Sequence, residues 1–444
     1  MKRSTLSSLC ALLMATMALP GIAQDTKLPA MNAKQTRLLI DSISNALHRY
    51  YIYPDEARIM GDYLKSQFKK GAYARITNPF ELGDQLRKDL QKVHRDPHMG
   101  VRYDPRFAIE QAGDTLLLKD RRNEETAFLK KRNFFFDQVQ ILEGNIGYLK
   151  FDGFTGRIAD ANPTLHSAMT FLRHTDAMII DLRQNHGGDP EMVRQIESYF
   201  FKTRTHMMDI VDRPARTTHT LWADPADVDS LTFTGPVYIL TSKGTFSGAE
   251  DFSYGMQSVK RATIVGDTTG GGAHPTDSYN IGQGFVANIP FARSLNPYTN
   301  TDWEGTGVRP DIAVPADQAL EKAQEIYFVK QLAAATNQQE RENFQWKINH
   351  LKAISNDQTI SPETLQRYSG VYEGGLDFYV SNGRFYCKNA ERNNELFQLK
   401  AVSSTLFLLD ENVIVEFLKD ASGNYSSLNM LWNGGGVSSK RKVE

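Results

Sequence analysis

Ser247 and Gly248 stand where an apolar run, VYILT (237–241), gives way to a stretch of helical character, SGAEDFSYGMQ. If the first is a strand and the second a helix, Ser247 lies in the first helical turn, where free backbone N–H groups and the positive end of the dipole gather. An oxyanion would be stabilised there. A helix-capping hydroxyl is the plainer use of serine at such a place, so position alone leaves both readings open. The local string G-T-F-S-G puts Gly244 three residues before Ser247 and is not the G-x-S-x-G elbow. A nucleophilic serine also needs a base within hydrogen-bond reach, because its free hydroxyl is barely ionised at neutral pH.

Ten histidines are available as that base. His94 and His98 have the i, i+4 spacing of a helical metal pair, but Pro97 breaks the helix between them and no glutamate takes the metalloprotease position, so neither a metal nor a cofactor is expected. His48, His166, His174, His206, His219 and His350 sit in helical or polar contexts with no neighbouring chemistry. His98, His186 and His274 remain, with Lys243 as a further candidate.

The strings HRDPHMG, NIGYLKFDGF, MIIDLRQNHGGD, LTSKGTFSGAEDF, IVGDTTGGG and WEGTGVRPDI follow one another in this order within residues 35–316. As an ordered set they resemble the tail-specific, or C-terminal-processing, serine peptidase superfamily, which includes tricorn-type peptidases and the repeats of interphotoreceptor retinoid-binding protein. The resemblance implies a ClpP/crotonase-like α/β core with Ser247 as nucleophile. One branch of the superfamily takes a lysine base from the glycine-rich loop after the nucleophilic helix, where this chain has TTGGGAHP and Gly272 in the lysine's place. The tricorn-like branch takes a histidine from near the end of the N-terminal helical region and a glutamate well after the serine. DPHMG and DWEGTG fit that pattern, implying His98 as base and Glu304 as the carboxylate that orients it. In that branch a serine precedes the histidine and links it to the glutamate; Pro97 stands there instead, leaving Asp96 or water to orient the imidazole. The Gly248 N–H, with one from Gly187 or Gly188 of NHGGD, would form the oxyanion hole. Glu250 and Asp251 are closer in sequence, yet the helix is expected to carry them away from its N-terminal end. His274 is the reserve base.

The expected function is therefore that of a serine endopeptidase acting on unfolded or C-terminal peptide segments through a Ser-His-Glu acyl-enzyme mechanism. Its histidine base should lose activity as pH falls through roughly 6 to 7. The alternative is a catalytically silent binder of hydrophobic ligands or peptides, a use to which the retinoid-binding relatives put the same scaffold. An esterase using the same serine is a third reading. The expected partner is a peptide or unfolded protein, and an oligomer is compatible with the sequence.

The elements that carry these residues follow from the hydrophobic pattern. With 444 residues, 41% of them hydrophobic, the chain is too long for one ordinary core, which points to two or three domains. Residues 24–105 read as an N-terminal helical domain, with apolar stripes through Leu39, Ile43 and Leu47, through Met60, Leu64 and Phe68, and through Leu82, Leu86 and Leu90. Residues 106–316 alternate strand-length apolar runs (146–151, 177–182, 237–241, 262–266) with helical stretches and form the α/β core. Residues 317–360 read as a helical connector and 361–444 as a small all-β domain, with Asn382-Gly383 a hairpin signal. No peptide-binding PDZ insertion is recognisable between 100 and 145.

Lys2 and Arg3, the apolar stretch Leu9 to Leu19 and the small residues Gly21 and Ala23 read as a signal peptide over 1–23, implying export to a periplasm or beyond the cell. Cys10 would leave with it and Cys387 would stay unpaired, so no disulfide framework is expected. Lys and Arg number 51 against 52 Asp and Glu, which excludes a global field for nucleic acid or an acidic membrane.

Overall fold

Three helices open the fold in a computed structural model that describes residues 28–107, 115–355 and 358–443. The expected signal peptide lies outside the described residues. Helix α1 (Ala33–Tyr50) begins with a capping box in which Asn32 and Gln35 each accept the other's backbone N–H. Helices α2 (Pro54–Lys69) and α3 (Pro79–Val93) both begin with proline, where its missing N–H costs nothing, and Asn78 caps α3. Their apolar stripes meet as the sequence pattern requires, but the core is not closed by helices alone. Strand β1 (Gly100–Tyr103) follows α3 and pairs with β10 (Phe285–Pro290), which pairs with β9 (Thr276–Gly282). Val101, Phe285, Ala287 and Ile289 are buried in one cluster with Leu39, Leu47, Leu64 and Leu86. The loop between α3 and β1, which carries His98, is thus held at both ends by well-packed elements.

After α4 (Thr115–Lys131), the central sheet is built from β2 (Phe136–Leu142), β3 (Ile146–Phe151), β4 (Ala177–Asp181), β7 (Val237–Thr241), β8 (Ala262–Gly266) and β12 (Ile312–Ala313). The order is β12-β8-β7-β4-β3-β2, parallel throughout except for the β2–β3 hairpin. Every residue of β4 and β7 is buried, which is why Ala177 to Ile180 and Val237 to Leu240 read as unbroken apolar runs rather than alternating ones. Helices α5 (Ile158–Leu172), α6 (Pro190–Glu197) and α7 (Gly248–Ser258) pack on one face. Leu165, Met169, Val193, Phe252 and Met256 share a cluster with Leu149, Ile180, Ile239 and Ile264. The strands from β3 to β12 succeed one another in one direction along the sheet, and connections that keep to the general right-handed rule then leave the helices on a single face. A second sheet, β11-β5-β6, joins β5 (Thr205–Asp212), β6 (Thr217–Ala223) and β11 (Ala292–Leu295).

The chain divides into two compact units after Ala316. In the second, α8 (Ala319–Ala334), α9 (Gln338–Ser355) and α10 (Pro362–Tyr368) accompany two antiparallel sheets of four and five strands. Trp346 of α9 is buried with Val402, Leu408 and Ile414, so this helical segment belongs to the core of the β unit rather than running free as a connector. Tyr368, Tyr372, Phe378, Phe385, Phe407 and Phe417 form a second, aromatic cluster there. Asn382 and Gly383 both have positive φ, 48° and 73°, as the two-residue hairpin signal demands. Cys387 is buried and free. Among the described residues no helix is long and apolar enough to cross a membrane.

Candidate active site

Strands β4 and β7 are parallel neighbours, so the loops leaving their C-terminal ends run side by side. One carries NHGGD and the other Ser247. Ser247 has φ 54° and ψ −119°, a conformation that costs a residue with a Cβ roughly 1–3 kcal/mol. It is held there from both sides: the Phe246 N–H donates to the Asn185 carbonyl at 3.1 Å and the Ser247 N–H to the Glu250 carboxylate at 2.9 Å. This sharp, strained strand-to-helix turn has the geometry that a nucleophile elbow requires, reached without the G-x-S-x-G string.

Ser247 Oγ lies 3.1 Å from His98 Nε2, although 149 residues separate them in sequence. For the ring to accept the hydroxyl proton at Nε2, its own proton must sit on Nδ1, a tautomer assigned from that role. Nδ1 is buried and has no hydrogen-bond partner among the described residues. The imidazole is instead oriented by packing and by its backbone: its ring centroid is 4.7 Å from that of Phe246, and its main-chain N–H donates to Asp96 Oδ1 at 3.1 Å. Burial holds the pKa of His98 down, to about 4, so the ring is neutral at neutral pH, as a general base must be.

At Gly272, where a lysine base would stand, a Cβ would come within 2.3 Å of Phe246 and 2.7 Å of His98 Cε1. The histidine and the phenylalanine packed on it already fill that space. Lys243 is exposed, and His186 engages the Gly244 carbonyl through Nδ1 at 3.0 Å.

The structure separates the two glycines that the sequence leaves equivalent. The Gly187 N–H donates to Asn185 Oδ1 at 2.8 Å. The N–H groups of Gly188 and Gly248 donate to no group among the described residues. They lie close together, since a Cβ on Gly248 would be 3.1 Å from the Gly188 nitrogen. No side chain fits at either loop position: φ is 93° at Gly187 and 144° at Gly188, and a Cβ would sit 2.7 Å from Ser247 Cβ or 2.0 Å from the Phe154 carbonyl oxygen, respectively.

Two expectations are corrected. First, α7 does not carry Glu250 away from its N-terminus. The side chain folds back, buried, and its carboxylate accepts from Ser247 N–H at 2.9 Å, Gly271 N–H at 2.6 Å, Gly272 N–H at 2.8 Å and Thr269 O–H at 2.5 Å. The signal was present, because S-G-A-E is the S-x-x-E string of a capping box. Glu250→Ala would strip one acceptor from three backbone donors, and a stability loss of about 3–5 kcal/mol is expected from urea unfolding, with loss of activity.

Second, Glu304 makes no hydrogen bond or ion pair with His98. Its Oε2 accepts from the Ala273 N–H at 2.6 Å and lies 3.6 Å from His274 Nδ1, while Oε1 is buried without a partner. The physical reason is at Pro97, which offers neither hydroxyl nor N–H to connect the imidazole with the carboxylate. Burial pushes the pKa of Glu304 up to about 7. His274, the reserve base, is turned away from the serine: Nδ1 is 2.9 Å from Asp96 Oδ2 and Nε2 is 3.3 Å from the Tyr53 hydroxyl. Tyr51 also donates to Asp96 Oδ2, at 3.1 Å. Asp96, His274 and Glu304 each present one atom within 4.8 Å of the others, a donor set suited to a cation, yet His274 Nδ1 is already engaged by Asp96 Oδ2 and Glu304 Oε2 by the Ala273 N–H. Tyr51 and Tyr53 carry no local sequence signal for this role, whereas Asn185 stands beside the glycines of NHGGD.

Comparison with known proteins gives two family matches. Residues 145–314 match peptidase family S41, and residues 23–143 match the N-terminal domain of peptidase S41 in eukaryotic IRBP. The chain is 26% identical over 177 residues to a carboxy-terminal-processing protease of Bartonella bacilliformis, covering 39% of each. It is 27% identical over 173 residues to the chloroplastic carboxyl-terminal-processing peptidase 2 of Arabidopsis thaliana, covering 38% of this chain and 32% of that one. The matches thus span well under half the length of these relatives. Among solved structures, a photosystem II D1 C-terminal processing protease aligns at 15% identity with a TM-score of 0.42, over 64% of this chain and 94% of that one.

Proposed function

Because the chain carries a peptidase family S41 domain, we propose that it is a serine-type peptidase in which Ser247 is the nucleophile and His98 its base. The observation that carries this reading is the 3.1 Å approach of Ser247 Oγ to His98 Nε2, beside two uncommitted N–H donors. Ser247 Oγ attacks the peptide carbonyl carbon as its proton passes to His98 Nε2, and the carbonyl oxygen becomes an oxyanion held by the Gly188 and Gly248 N–H groups. Collapse breaks the C–N bond, the proton on Nε2 goes to the departing amine, and an acyl-enzyme remains. Water then repeats the sequence, with His98 again taking and returning the proton. Glu304 acts at one remove, on the loop that carries Ala273 and His274.

The substrate proposed is an unfolded or C-terminal peptide segment, a reading supported by the carboxy-terminal-processing activity named for both curated relatives. Export is proposed from the basic and apolar pattern of the first 23 residues.

A fluorophosphonate probe tests the reading on the full chain. The expected result is one covalent adduct, located by mass spectrometry on the peptide containing Ser247, with casein turnover lost in proportion to labelling. A chain that binds peptides but neither labels nor cleaves would overturn the peptidase reading in favour of a binding protein.

A further inference from the structure

The hydrogen bond between Ser247 and His98 joins two loops that have no covalent reason to be in register. The base loop, between α3 and β1, is tied internally: Asp96 Oδ1 accepts the His98 N–H at 3.1 Å, and the Met99 N–H donates to the Asp96 carbonyl at 3.0 Å. The loop over 269–274 is tied to the nucleophile, because Glu250 accepts from Ser247, Gly271 and Gly272 together. One side chain spans the remaining gap. His274 stands at the end of the second loop, and its Nδ1 meets Asp96 Oδ2 of the first at 2.9 Å. The contacts therefore close a ring that runs Ser247, Glu250, the 269–274 loop, His274, Asp96, His98 and back to Ser247.

We infer that His274 is a positioning residue for the base: held between Asp96 and Glu304, it fixes the carboxylate whose other oxygen grips the His98 main chain. This rests on the peptidase reading for its kinetic consequence but not for its structural one. The side chains of His274 and Asp96 are each only 1% exposed, so their contact is shielded from water. Burial works against a charged ring at His274, but the hydrogen bond to Asp96 and the nearby Asp96 and Glu304 charges outweigh it and raise its pKa. The converse holds at Asp96, where burial is outweighed by His274 and the pKa is lowered. Tyr53 completes the second ring nitrogen at 3.3 Å. His274 touches neither Ser247 nor the carbonyl it attacks; it acts through Asp96.

The test compares the full chain with His274→Ala and with His274→Asn, whose side-chain amide restores a donor near the Nδ1 position. In His274→Ala, kcat on a peptide substrate is expected to fall about 100-fold with KM within about twofold, the effect of a base displaced by about 1 Å. Hydrogen–deuterium exchange should accelerate in the peptide covering 94–100 while the second unit is unchanged. His274→Asn should recover most of both. Wild-type kcat and exchange in His274→Ala would overturn the inference, as would an Asn variant no better than Ala, or faster exchange throughout the first unit. If the wild-type chain proves unable to turn over peptide, the peptidase reading fails and the exchange comparison alone decides the role of His274.

Discussion

Ser247→Ala is expected to lower kcat/KM on an unfolded peptide substrate by about 10⁴–10⁶-fold while leaving the chain folded. The oxygen that attacks is gone, whereas the oxyanion donors and the binding surface remain, so some acceleration over water persists. Folding should tolerate the change because the Ser247 N–H bond to Glu250 and the Phe246 N–H bond to Asn185 are made by the backbone. A companion variant separates catalysis from stability. Ser247→Gly removes the Cβ from a residue at φ 54°, and glycine adopts positive φ without strain. It should be as inactive as alanine yet more stable than alanine in urea, by about 1 kcal/mol. Wild-type turnover in either variant would refute Ser247 as nucleophile.

The second large effect concerns the base. His98→Ala should lose activity to a similar extent, and the Ser247/His98 double variant should be scarcely worse than either single one, because the two act as a unit. Lys243→Ala should keep wild-type activity. The pH profile of kcat/KM discriminates further. A free imidazole would give an acid limb between 6 and 7, but burial holds His98 down to about 4, so the limb should fall near pH 4. Linkage has the same sign. The native ring takes up its proton only at about 4 and the unfolded ring near 6.5, so the stability owed to the neutral ring is complete above about 6.5 and drains away as pH falls toward 4. Because the Glu304 carboxyl is itself pushed up to about 7, the profile is read in Glu304→Gln as well: an acid limb at 6.5 that persists there would mean that the ring is solvated and that its packing on Phe246 does not persist in solution.

Much of the scaffold was legible because it follows local rules. The runs at 146–151, 177–182, 237–241 and 262–266 became β3, β4, β7 and β8 within a residue, since strands largely buried on both faces must be mostly apolar. Asn78 and the prolines placed the helix starts, and Asn382-Gly383 placed a hairpin. Strands β1, β9 and β10 were not legible as partners of the helices, because Val101 and Ala287 meet only through strand pairing between residues far apart in the chain. Glu250 was misplaced for a different reason: helical spacing was applied to a side chain that folds back on its own N-terminus, where the capping-box string was the better guide.

At the site the division has a physical basis. The sequence by itself determined the kinds of group present: a serine at a strand–helix seam, histidines after a helical region, glycines in two loops and no lysine at 272. Those are properties of short strings, and backbone geometry within a few residues is set by short strings. Only the tertiary structure decided which groups stand together. It placed His98 rather than His274 or His186 on Ser247, gave the free N–H to Gly188 by engaging that of Gly187 with Asn185, and set Glu304 against Ala273 and His274 instead of His98. Hydrogen bonds are fixed to a few tenths of an ångström by packing that gathers residues from 51 to 304, and no local pattern carries information at that range.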